Sequence, residues 1–111
     1  MPTEEEAEKI ARTESLFREV NERIAETAER FDSDQTEFVC ECSDPRCTKR
    51  VDTTLDRYES VRADGATFLL ASGHEDERVE GVVATSGDIA VVEKRHPLVE
   101  PLVRARDPRA A

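Results

Sequence analysis

Apolar residues recur every seven positions at Ile10, Phe17, Ile24 and Phe31, with Leu16, Val20 and Ala28 beside them and Glu and Arg filling the other faces. At 3.6 residues per turn this spacing gathers them on one stripe, so the pattern predicts a long amphipathic helix. Thr3 with Glu6 forms a capping-box pair at its start, and Glu4, Glu5 and Glu6 complement the positive end of the helix dipole. The helix is expected to reach Phe31, where Asp32-Ser33-Asp34-Gln35 ends it. Its apolar stripe is expected to pack on its own domain; the rival reading zips part of it against a second copy or a partner helix. Thr13 and Thr27 at the intermediate heptad positions weaken the coiled-coil version.

Beyond residue 35 the period shortens. Thr36 to Cys42 alternates as a strand does. Thr53-Thr54 precedes a short helix with Leu55, Tyr58 and Val61 or Arg62 on one side, stopped by Asp64-Gly65. Thr67 to Ser72 is an apolar run between glycines and reads as a buried strand ending at His74. Val79 to Thr85 and Ile89 to Lys94 flank Ser86-Gly87-Asp88 as the arms of a hairpin; a helix through Glu77 to Ala84 is the competing reading, against which Gly81 and the β-branched residues count. From His96 onward, three prolines and an Arg-rich stretch suggest a loosely held tail. The predicted fold is α+β: a long N-terminal helix, a short middle helix and a small, mainly antiparallel sheet of about four strands around a zinc knuckle. Residues 1–95 form one zinc-organised domain and residues 96–111 a loosely ordered C-terminal tail.

The chemistry is concentrated in Cys40-Glu41-Cys42-Ser43-Asp44-Pro45-Arg46-Cys47, which holds all three cysteines, and in Gly73-His74 downstream. In extended backbone, residues two apart share a face, so Cys40 and Cys42 project together with Phe38 while Val39 and Glu41 point the other way. Ser43 to Arg46 is turn chemistry, with an Asx-type acceptor at Asp44, and it brings Cys47 back as a third ligand. Gly73 permits the backbone angles that turn the His74 imidazole inward. Cys40, Cys42, Cys47 and His74 are therefore the predicted ligands of a structural Zn²⁺. The competing readings are a redox or disulfide use of the thiols, buried unpaired cysteines, and His96, the second histidine, in place of His74.

Composition narrows the function more than it names it. At 111 residues with 37% hydrophobic and 5% aromatic residues, one domain with a modest core is expected, and a metal would help to stabilise it. A formal charge of −10 repels a phosphate backbone, so nucleic acid is disfavoured. No apolar run approaches a membrane span and the first residues, Met-Pro-Thr-Glu-Glu-Glu, do not read as a signal peptide. An odd number of cysteines then points to a reducing, cytoplasmic setting.

The pattern of Cys40-Glu41-Cys42, Cys47, Tyr58-Glu59, Val61-Arg62 and Gly73-His74-Glu75, with Asn21-Glu22-Arg23-Ile24 before it and Val92-Glu93-Lys94 after it, resembles a group of small uncharacterised bacterial proteins. The resemblance covers about residues 12 to 95 and implies no activity. No zinc-deaminase, His-Glu-x-x-His, phosphate-loop or Gly-x-Ser-x-Gly pattern is present. The leading expectation is a zinc-stabilised regulatory or protein-interaction module without catalytic activity, meeting a protein partner or a second copy through the N-terminal helix. One alternative is a zinc-dependent hydrolase with Glu41 or Glu75 as general base. Another is a nucleic-acid contact through Lys49, Arg50, Arg57 and Arg62.

Overall fold

A computed structural model describes residues 2–110 of the chain. Helix α1 spans Glu4–Arg30, and Thr3 caps it by accepting the Glu6 amide at 3.1 Å. The face it buries differs from the one the seven-residue repeat marks. Ile10 is buried, but Phe17 and Ile24 are half-buried, and Leu16, Val20 and Phe31 are 59%, 39% and 71% exposed. The inward face carries Ala7, Ala11, Ala25 and Ala28 with Glu14, Arg18 and Asn21 among them. The alanines let the helix approach the sheets closely, and Glu14, Arg18 and Asn21 each meet a partner inside. Lys94 bonds Glu14, Arg18 donates to the carbonyls of Gly65 and Val103, and Asn21 binds Val39 and Glu41.

Two small antiparallel sheets, five strands in all, stand where one sheet of about four was expected. Strand β1, Gln35–Val39, pairs with β2, Arg50–Thr54, placing Phe38 opposite Val51. Strand β2 is not among the expected elements, because Thr53 and Thr54 read as a helix start. Thr54 does both jobs: it closes β2 and caps α2, Leu55–Arg62, by accepting the Arg57 amide at 3.1 Å. The second sheet has the order β3-β5-β4, with β3 at Thr67–Ala71, β4 at Glu80–Ser86 and β5 at Ile89–Lys94. The β4–β5 hairpin is the expected one, with a register irregularity between Val82 and Ala84.

Two aromatic groupings anchor the core. Phe38 and Tyr58 stack at 4.5 Å between ring centroids, joining the first sheet to α2. Phe68 receives the Arg18 guanidinium at 4.5 Å and the Lys94 ammonium at 5.1 Å from its centroid. The segment after residue 95, expected to be loosely held, carries helix α3 at Glu100–Ala105, with Val99 and Val103 fully buried. No helix among the described residues is long and apolar enough to cross a membrane.

Candidate metal centre

The first sheet hands its chain directly to the cysteine cluster. Cys40 and Cys42 follow β1 and are both buried, while Glu41 between them is turned the opposite way into the core. The Asp44 side chain then makes the predicted Asx turn, accepting the Arg46 amide at 2.9 Å, and its carbonyl accepts the Cys47 amide at 3.1 Å. Cys47 is thereby returned, half-buried, to the first two thiols. His74 arrives from the end of β3. Gly73 adopts φ 88°, a conformation that favours glycine, and the His74 amide donates to the Ala71 carbonyl at 3.1 Å.

One donor atom from each of Cys40, Cys42, Cys47 and His74 lies within 4.8 Å of all the others. The His74 Nδ1 is 3.7 Å from the Cys40 sulfur and 3.5 Å from the Cys47 sulfur. A tetrahedral zinc with its usual sulfur and nitrogen bond lengths separates an S and an N ligand by about 3.6 Å, so His74 stands at the spacing such an ion would set from Cys40 and Cys47. Cys40, Cys42 and Cys47 are free thiols rather than a disulfide pair. The Cys42 thiol is pushed down to about 5, chiefly by its hydrogen bond with Cys40, against the opposing effect of burial. That same bond, and then burial, pushes the Cys40 thiol up. The downward shift at Cys42 favours its thiolate, the form in which a cysteine ligates a metal.

The surroundings fix these donors in place. The Ala71 amide donates to the Cys40 sulfur at 3.2 Å. Next to it, Glu41 donates its amide to the Leu69 carbonyl at 2.8 Å and accepts the Leu69 amide on Oε1 at 2.9 Å. The segment carrying the first two cysteines thus occupies the open edge of β3 and joins the two sheets. The second Glu41 oxygen accepts from Asn21 Nδ2 at 2.8 Å and from the Tyr58 hydroxyl at 3.0 Å. Burial pushes this carboxyl up, and the three donors pull it back. Outer partners of this kind hold metal ligands in orientation.

The structure brings together all four sequence-predicted ligands. It leaves out His96, which is buried elsewhere with Nδ1 accepting the Leu98 amide at 3.1 Å. Of the two candidate bases, Glu41 is enclosed by its donors, and the Glu75 carboxylate accepts the Gly73 amide at 3.0 Å within the turn before His74. Of the basic residues considered for nucleic acid, Arg62 is buried between Glu22 and Asp107, and Arg50 lies 3.9 Å from Glu37. Sequence reasoning missed Asn21 and Tyr58 as supports of the site. Asn21, Glu41 and Tyr58, far apart in the sequence, converge on one hydrogen-bonded cluster.

No protein-family model matches the chain, and no curated protein or solved structure matches it.

Proposed function

We propose that the chain is a small protein-interaction module in which Cys40, Cys42, Cys47 and His74 hold one structural Zn²⁺. The observation that carries this reading is the convergence of exactly one donor from each of four residues. Three sulfurs and one imidazole suit zinc, and four protein ligands leave no position for a substrate or an activated water. The enclosure of Glu41 also favours a structural ion, since its carboxylate is committed to Asn21, Tyr58 and Leu69. The net charge of −10 and the pairing of the C-terminal arginines with Glu8, Glu22, Glu59, Asp64 and Glu100 favour a protein partner over nucleic acid. The thiols call for a reducing setting such as the cytoplasm. The resemblance to small bacterial proteins is compatible with this role and adds no activity to it.

The test is metal analysis of protein purified reduced and without added metal, beside Cys47→Ser. One zinc per chain, reduced in the variant together with thermal stability, is expected. A metal-free wild type of undiminished stability refutes the proposal.

A further inference from the structure

The face of α1 left outside the core borders a second unfinished feature, the free edge of β1. The Cys40 amide donates to the Lys49 carbonyl at 3.1 Å and the Leu55 amide to the Asp34 carbonyl at 2.9 Å. These two bonds fix the antiparallel alternation between them: Thr36 and Phe38 turn their backbone groups to β2, while Gln35, Glu37 and Val39 turn theirs to the opposite edge. At Val39 the edge is closed by Asn21, whose amide group accepts from the Val39 N–H and donates to its C=O, each at 2.8 Å. At Gln35 and Glu37 no strand or side chain among the described residues takes up the edge groups.

The same edge lines a groove of ≈ 750 Å³ whose other wall is α1. Leu16, Val20 and Phe31 are its exposed apolar residues, and Ile24 lies between them. An open strand edge beside an apolar wall is the receptor geometry of strand addition: the backbone ladder supplies the bonds and every second side chain enters the groove. The wall from residue 16 to residue 31 is about 22 Å long at the helical rise. An extended chain covers that distance in about six or seven residues. Charge selects the occupant. Glu19 and Glu37 flank the groove against Arg23, with Arg50 of β2 3.9 Å from Glu37, so the selecting field is that of the whole chain, at charge −10. A second copy would bring the same negative charge to this face, whereas a basic segment is drawn to it.

We propose that this groove binds an extended segment of a partner protein, about six residues long, in which apolar residues alternate with Lys, Arg or Thr, and which pairs with Gln35 and Glu37 of β1. The proposal rests on the interaction-module reading and names the chemistry of its partner.

The test uses the full, reduced, zinc-loaded chain and a displayed library of random octapeptides. Selection is expected to enrich alternating apolar and basic residues. A peptide synthesised from the enriched pool is expected to shift the amide resonances of Gln35 and Glu37. Its affinity should fall at least tenfold with Val20→Glu or Leu16→Glu and should fall with added salt, but should not change with Val82→Glu on the exposed β4 strand. Enrichment of apolar residues three and four apart, absence of any enriched pattern, or indifference to both groove variants overturns the proposal. So does a dimer, seen by sedimentation, that Val20→Glu abolishes, because a second copy then fills the groove. Zinc content and melting temperature of each variant separate this outcome from failure of the module itself: a groove that binds nothing on an intact zinc-loaded chain refutes only the strand site.

Discussion

Glu41 sits between Cys40 and Cys42 and is nonetheless badly placed to serve a metal-bound water. Its carboxylate accepts three hydrogen bonds in the core, so its substitution tests structure rather than chemistry. Glu41→Gln places an amide donor against donors, and stability is expected to fall by about 2 kcal/mol while zinc is retained. Denaturant titration with metal analysis checks this; loss of metal with folding intact would instead mean that Glu41 acts on the ion. His74→Ala is expected to weaken metal retention first and to lose stability only by way of the lost ion, because the imidazole is exposed and contributes little to the core. Glu14 gives a second residue-scale prediction. It is wholly buried against Lys94, which also meets Glu80, and burial raises its carboxyl from 4.5 to about 7. A folded-state value above the unfolded one means that the native state binds the proton more tightly. This contribution to stability is complete below pH 4.5 and is lost as pH rises through about 7. Glu14→Gln removes the titration, so its stability relative to wild type is expected to rise across that window by about 3 kcal/mol, read from denaturant curves at several pH values.

At the scale of elements, α1 was legible in its ends and misread in its face. Thr3, Glu6 and the acidic first turn are local signals, and they start the helix where they stand. Which side is buried depends on partners far along the chain: Lys94 for Glu14, Gly65 and Val103 for Arg18, Val39 and Glu41 for Asn21. Hydrophobic periodicity has no access to those partners, so it placed charged residues outside and Leu16 and Val20 inside. The cysteine knuckle was legible because its geometry is local: alternate residues of an extended segment, an Asx turn and a glycine before the histidine. Strand β2 escaped because five residues with two charges carry little periodic signal, and the helix cap at Thr54 masked its end. Asn21 tests the misread face directly. Asn21→Ala leaves the Val39 edge groups and one Glu41 oxygen short of partners, and is expected to cost about 2 to 3 kcal/mol although it deletes almost no apolar surface. Thr3→Ala, which touches only a cap, should cost about 1 kcal/mol.

At the scale of the whole molecule, the cysteine segment is the joint between two sheets, the smaller of which is not stable alone. A two-stranded sheet has marginal stability by itself, and the first sheet meets the second through Cys40, Glu41, Leu69 and Ala71. Removing the metal is therefore expected to loosen the whole chain rather than one loop. Chelation should lower the melting temperature by about 10 °C or more, taking several kcal/mol of lost binding energy at the usual few degrees per kcal/mol. Calorimetry with and without chelator checks it, and restoration by added zinc completes the test.

The hydrogen bonds of Asn21 to Val39 have a consequence for exchange of backbone hydrogens with solvent. An edge strand ordinarily alternates slow and fast exchange, and β1 begins that way, with Thr36 and Phe38 shielded by β2 and Gln35 and Glu37 open. From Phe38 the alternation stops. Val39 is held by Asn21, Cys40 by Lys49 and Glu41 by Leu69, which gives four slow amides in succession from residue 38 to residue 41. An unbroken protected run at the margin of a sheet is the mark of a strand passing from one ladder to another by way of a side chain, and in Asn21→Ala only its second member should become fast.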